Sequence, residues 1–255
     1  MIYLKSDAEI DDMKAAGGLA AKLLETIEVY VKPGVTTQEL NDICHEFTLD
    51  HGAISAPLNY KGFPKSICTS INDVVCHGIP SSKVKLQEGD IINIDVTPIV
   101  NGFHGDSSKT FFVGDVSPKR RKIVSVAAEC LDIGIQCVEP GARLGDIGAA
   151  IQKHAEGNKF SVVREFVGHG IGRNFHEGPQ VSHFGKAGTG QRLEPGMVFT
   201  IEPMVNEGHW KTKVKKDNWT AVTIDGGDSA QFEHTLAIRS DGSVDVLTVM
   251  ENYQP

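Results

Sequence analysis

The sequence predicts an α/β (α+β) fold of two related halves, about 7–115 and 116–250, each giving helix, turn, helix and then strands. Three observations carry this. Two tetrapeptides recur at one spacing: Val31-Lys32-Pro33-Gly34 returns as Val138-Glu139-Pro140-Gly141, and Leu86-Gln87-Glu88-Gly89 as Leu193-Glu194-Pro195-Gly196, both 107 positions on. Paired helix-start signals open the chain. A hairpin signal, Asn101-Gly102, lies inside the apolar stretch 89–110, GDIINIDVTPIVNGFHGDSSKT.

Taken in order, Ser6 and Glu9 form a capping box for a helix with Ile10, Met13, Gly17, Ala20, Leu24 and Ile27 on one face. Gly17-Gly18 either weakens it or lets a neighbour approach closely, and Pro33-Gly34 stops it. Thr36 and Glu39 cap a second helix that buries Leu40, Ile43 and Phe47. Residues 66–70 read as a strand, and then comes the hairpin. Ser117-Pro118 starts a third helix, with proline in its preferred first-turn place. Strand-like runs follow at 197–203, 221–225 and 229–238.

The hairpin makes a geometric demand. In an ideal two-residue hairpin, facing residues have numbers that sum to 203, so Asp106 faces Thr97. Asp95 is then its diagonal neighbour on the same face, roughly 7 Å away at the backbone. Pro98 and Gly105 are the two places where a bulge would turn one side chain away. Carried forward by the repeat, Asp95 falls on Glu202, which should face it across a pseudo-twofold axis.

With 40% hydrophobic and 23% charged residues, the 255-residue chain has the composition of an ordinary globular domain, and the halves are expected to pack as one domain over 1–255. A formal charge of −8 argues against nucleic-acid binding by bulk electrostatics. Five cysteines without a CxxC pair suit a reducing compartment, and the absence of a signal-length or ~18-residue apolar run makes the cytoplasm the default. Nothing demands more than a monomer.

Asp95, Asp106, His169, Glu202 and Glu233 are the candidate metal ligands. Four carboxylates and one imidazole favour hard divalent ions over a zinc–thiolate site. Two divalent ions would balance four carboxylates, which otherwise raise one another's pKa. Each residue alone has an ordinary role, as a turn cap, a solvent-facing acid or a hydrogen-bonded histidine. Together they place acids in three separate apolar strand segments, two of them related by the repeat.

The blocks CHGIP at 76–80, NIDVT and HGDSSKTF at 93–97 and 104–111, GHGIGRNFHEGP at 168–179, FTIEP at 199–203 and SAQFEHT at 229–235 span the chain in order. The sequence resembles the type I methionine aminopeptidases. That resemblance implies the pita-bread fold, two pseudo-twofold-related halves around a central antiparallel sheet. It implies two divalent ions (Mn, Fe(II), Co or Zn) on the five ligands, and removal of initiator methionine from nascent chains by attack of a metal-bridging hydroxide when the second residue is small. Glu202 would relay the proton, while His77 and His176 would be catalytic groups that touch substrate. Xaa-Pro peptidases share the ligand set but usually carry an extra N-terminal domain. A pseudo-peptidase would be expected to have lost ligands, and all five are present.

The resemblance also implies a methionine pocket of Tyr60, Phe63, Cys68, Phe175 and Trp219, and a monovalent cation held near Asn72, Val74 and Ser229. Pro57, Lys61 and Asp228 depart from the family's usual residues: the first two alter the pocket rim, and the third sits in a turn expected to be shaped differently. Lys211, Lys213, Lys215 and Lys216 form a basic cluster. It reads either as protection of a strand edge or as a docking site for ribosomal RNA.

Overall fold

The computed structural model describes residues 1–249. The last position of the second half, 250, and the end of the expected 1–255 domain therefore lie outside the described residues. Helix α1 (Asp7–Glu28) starts on the Ser6–Glu9 box, α2 (Thr37–Asp50) on the Thr36–Glu39 box, and α3 (Pro118–Gln136) on Ser117, whose hydroxyl accepts from the Arg120 amide. Helix α4 (Leu144–Gly157) sits 107 positions after α2 at both ends. The repeated turns match bond for bond: Gly34 N–H donates to Leu86 O at 2.8 Å, and Gly141 N–H to Leu193 O at 3.1 Å. Both glycines have φ +91°, a conformation that a side chain would strain.

Helix α1 ends five residues before Pro33-Gly34. The chain turns at Val29, where Tyr30 and Val31 donate to the carbonyls of Ile27 and Glu28. It runs unbroken through Gly17-Gly18. A Cβ on Gly17 would lie 2.1 Å from the Leu247 carbonyl oxygen, so the glycine is there for close approach.

A three-stranded antiparallel sheet orders Cys68–Ile71, Ile91–Val96 and Ser107–Phe112. A five-stranded sheet orders Glu177–Val181, Gly168–Gly170, Val198–Ile201, His234–Ile238 and Val244–Val246. The two sheets meet where Glu233 N–H donates to Ser108 O at 3.0 Å. Alternation along the central strands explains their layering. Ile92, Ile94 and Val96 pack on the α1–α2 core, as Phe199 and Ile201 pack on the α3–α4 core. Asn93, Asp95, Thr200 and Glu202 face away from the helices, into the space between the sheets, where Asn93 Nδ2 donates to Gln231 O and Thr200 Oγ1 to Glu202 Oε1.

The hairpin keeps its register throughout. Asp95 pairs with Ser108, Ile99 with His104 and Val100 with Phe103, and Gly105 N–H donates to Pro98 O at 3.0 Å. Asn101 and Gly102 take φ of 51° and 80°, as a type I′ turn requires. Four strands differ from expectation. The first spans Cys68–Ile71 rather than 66–70, the runs 197–203 and 221–225 shorten to Val198–Ile201 and Ala221–Thr223, and the run 229–238 is split into Ser229–Gln231 and His234–Ile238. Glu233 leaves its own ladder to pair with Ser108 of the other half, which accounts for the split. Asp95 and Glu202 are 107 positions apart, but Asp106 and Glu233 are 127 apart, so the second half carries 20 extra residues between its acids. No helix among the described residues is long and apolar enough to cross a membrane.

Candidate metal centre

Three of the four acids stand at strand interruptions, where the backbone can turn a side chain out of the sheet. Asp106 precedes the strand Ser107–Phe112, Glu202 follows Val198–Ile201, and Glu233 lies between Ser229–Gln231 and His234–Ile238. Asp95 is the second-last residue of Ile91–Val96. Asp106, His169 and Glu233 each aim a ligand atom into one spot, all within 4.8 Å of one another. His169 Nε2 is 3.5 Å from Asp106 Oδ2 and 3.7 Å from Glu202 Oε1. Asp95 joins them in lining a cavity of ≈330 Å³. All five predicted ligands therefore share one cavity, and Asp95 and Asp106 point to the same face of the hairpin.

Surrounding hydroxyls and amides aim these groups. Thr97 Oγ1 donates to Asp106 Oδ1 at 2.7 Å, the facing pair that the register demanded. Thr200 Oγ1 donates to Glu202 Oε1 at 2.7 Å, and Gln231 Nε2 to Glu202 Oε2 at 3.4 Å. His169 Nδ1 lies 2.9 Å from the Gly170 carbonyl, which assigns a proton to Nδ1 and turns Nε2 towards the acids as the candidate ligand atom. The Glu202 amide donates to His183 Nε2 at 3.0 Å. Gln231 falls inside the SAQFEHT block without having been singled out. His183 lies in no motif, and no local signal marks it.

The charges explain what the cluster lacks. Among the described residues, no Lys or Arg comes within 4 Å of the four carboxylates. Burial raises Asp95 and Glu233 well above the usual carboxylate range, and their neighbouring acids raise them further. Burial lifts Glu202 to about 7 against the pull of His169. Burial opposes charge on His169, but its hydrogen bond to Asp106 and the fields of Glu202 and Asp106 outweigh it, giving about 9. Four enclosed oxygen donors and one imidazole, short of positive charge, fit hard divalent cations.

The cavity walls carry every predicted substrate residue: Tyr60, Phe63, Cys68, His77, Phe175, His176 and Trp219. Their rings interlock. Tyr60 contacts Phe175 at 4.9 Å and stacks on His176 at 5.3 Å, while Phe63 meets Trp219 edge-on at 5.2 Å. His176 stacks on His169 at 4.1 Å. It opens onto the cavity, yet enclosure by the walls, helped by the charge on His169, pushes it down to about 4. His77 holds φ 55°, uncommon for a residue with a side chain, and packs edge-on against Phe166 and Trp219. Burial lowers its pKa, so both histidines are neutral at pH 7. Phe166, Val167 and Met204 also line the cavity. They flank the quoted blocks, and that adjacency is the signal that could have found them.

Near the predicted cation site, Ser229 N–H donates to Asn72 O at 2.8 Å, which brings these two positions together beside the strand that begins at Val74. The Ser229 hydroxyl is buried without a hydrogen-bond partner among the described residues. The turn around Asp228 is tied to α3: Arg120 Nε and Nη2 reach the two Asp228 oxygens at 2.9 and 3.0 Å. Lys213 lies on the edge strand Thr212–Val214, and Lys211, Lys215 and Lys216 flank it, all exposed.

The model of metallopeptidase family M24 matches residues 11–240. Methionine aminopeptidase A of Synechocystis sp. is 62% identical over 250 residues, 98% of each chain. The solved methionine aminopeptidase of Rickettsia prowazekii superposes with a TM-score of 0.95 at 52% identity, covering 98% of this chain and all of that one. The Xaa-Pro dipeptidase of Bacillus anthracis reaches a TM-score of 0.77 at 23% identity, over 99% of this chain but 63% of its own. That likeness is one of fold.

Proposed function

The chain belongs to metallopeptidase family M24, with its pita-bread fold, and from that premise we propose how its residues carry the reaction. It is a metal-dependent hydrolase that removes N-terminal methionine. The natural substrates on this reading are nascent chains in the cytoplasm with a small second residue, and the 1–255 chain acts as one catalytic domain and a monomer.

Asp95, Asp106, His169, Glu202 and Glu233 would hold two divalent ions, of which Mn, Fe(II), Co and Zn all suit the donor set. Once bound, such ions supply a Lewis acid for the scissile carbonyl and lower the pKa of water to near neutrality. The observation that carries this is one cavity lined by a half-buried Asp95 and the buried Asp106, His169, Glu202 and Glu233, with no Lys or Arg within 4 Å of the acids among the described residues.

The protein's own groups do the rest. Tyr60, Phe63, Cys68, Phe175 and Trp219 enclose the methionine side chain, whose sulfur gains about 0.3–1.5 kcal/mol per aromatic contact. We place the second residue beside Phe175 and Tyr60, whose rings line the same cavity. Neutral His176 donates its N–H to the scissile carbonyl oxygen as negative charge develops on it. Neutral His77 hydrogen-bonds the scissile amide and orients it. Glu202 takes the proton of the attacking water at a carboxylate oxygen and passes it to the departing amide nitrogen, so the C–N bond breaks to a neutral amine.

Two peripheral roles complete the reading. A monovalent cation near Asn72, Val74 and Ser229 would brace the strand Val74–Cys76 that leads into His77, and the Ser229 hydroxyl, unpartnered among the described residues, supports it. The Lys211, Lys213, Lys215 and Lys216 strand would contact the ribosome. The test strips metal, restores Mn²⁺, Co²⁺ or Fe²⁺, and compares Met-Ala, Met-Lys and Ala-Pro peptides. Cleavage of Met-Ala far ahead of the other two is expected. Cleavage of Ala-Pro alone would overturn the assignment.

A further inference from the structure

The rim of the cavity carries two charges that the chemistry above leaves unused, Lys61 and Glu165. Both are exposed, and among the described residues neither has an ion-pair partner within 4 Å. The neighbouring Arg164 is engaged elsewhere, 3.9 Å from Glu156 and against the rings of Phe184 and Trp210. Lys61 does not ride on a loose loop. Asn59, Lys61 and Gly62 all take left-handed φ, at 67°, 47° and 88°. The turn is closed by Asn59 N–H to Phe63 O at 2.8 Å and Phe63 N–H to Tyr60 O at 2.9 Å. The ammonium stays 5.2 Å from the Tyr60 ring centroid, and that ring stacks on His176.

A cavity of ≈330 Å³ with the ligand cluster as its floor holds the first residue and the bond to the second. The third residue must therefore lie at the rim. The Tyr60 ring that holds the Lys61 ammonium stacks on His176, where the scissile carbonyl is placed, while Glu165 is next in sequence to Phe166, which packs on His77. We infer that Lys61 is a specificity determinant that favours substrates with an acidic side chain at the third position. It does so by pairing its free ammonium with that carboxylate as the peptide crosses the rim. This rests on the aminopeptidase reading and extends it from the first two residues to the third.

The experiment measures kcat/KM for Met-Ala-Glu, Met-Ala-Gln and Met-Ala-Lys peptides, identical beyond that point and amidated, with the metal-loaded enzyme. Each rate is normalised to the Gln peptide of the same variant. At low salt the expected Glu-to-Lys ratio is about five- to tenfold, shrinking as ionic strength rises because exposed pairs are screened. In Lys61→Gln the ratio should fall towards one, and in Lys61→Glu it should invert, an outcome that a packing role for the side chain would not produce. A wild-type ratio near one, or a ratio that survives in Lys61→Gln, overturns the inference. Cleavage of the Gln peptide without charge preference would sink this inference alone, whereas cleavage of none of the three would sink the aminopeptidase reading itself.

Discussion

Stripping metal from the ligand cluster should make stability fall steeply with rising pH. Burial lifts Glu202 to about 7, and the surrounding carboxylates lift His169 to about 9. A carboxyl raised on folding binds its proton more tightly in the native state, so native stability is lost as pH climbs from its unfolded value through its folded one. A histidine raised on folding contributes stability that is complete below its unfolded value near 6.5 and is gone above its folded value. Both effects have the same sign between pH 6.5 and 8.5. One pKa unit is about 1.36 kcal/mol, and over that window His169 loses roughly 2 kcal/mol and Glu202 roughly 1. The raised Asp95 and Glu233 act in the same direction. For a chain of this size, about 3 kcal/mol corresponds to a fall in Tm of roughly 6–12 °C. With metal bound, the ligands are already deprotonated and the slope should flatten, so stabilisation by Mn²⁺ should grow with pH. Calorimetric melts of stripped and Mn²⁺-loaded protein at pH 6.5, 7.5 and 8.5 measure this directly. Parallel Tm profiles for the two forms would refute the electrostatic account of the cluster.

Three further outcomes follow from particular contacts. Glu202→Gln should lower kcat by about 10²–10⁴-fold if the carboxylate relays the proton; full activity with unchanged metal content, measured by elemental analysis, would remove that role. Gly105→Ala would place a Cβ 2.3 Å from the Ala16 carbonyl carbon, backbone against backbone. It should cost about 1–3 kcal/mol and shift the neighbouring Asp106, so Tm and metal affinity should fall together. Asp228→Asn removes the carboxylate that receives two Arg120 nitrogens. Because the pair is partly exposed, the loss should be about 1 kcal/mol in urea titration, with kcat unaffected.

The hairpin and the repeat were legible because each is a local rule with few exceptions. Asn101-Gly102 selects one turn, the turn selects the register, and the register places Asp95 and Asp106 on one face. The capping boxes at Ser6 and Thr36 were equally readable. The interruption at Glu233 was not. It has no glycine or proline at the break and arises because Glu233 pairs with Ser108, 125 positions earlier. His183 escaped for the same reason, since its partner is the Glu202 backbone and its neighbours in sequence say nothing of it. The break after Glu202 did have a signal, Pro203, which cannot donate to a ladder. Motif resemblance found the cavity walls, and residues just outside the motifs, such as Met204, were left for the structure to place.

The 20 additional residues between the acids of the second half have a consequence for how such a protein can change. Two of the proposed metal-holding positions, Asp95 and Glu202, correspond at the repeat spacing of 107, so moving either would break that correspondence. Trp219 and the lysine-bearing edge strand lie between Glu202 and Glu233, the stretch that carries the additional residues. On the proposed roles, Trp219 and the lysine strand thus stand in a part of the chain separate from the paired acids. New selectivity can be sampled in that stretch while the paired acids keep the reaction.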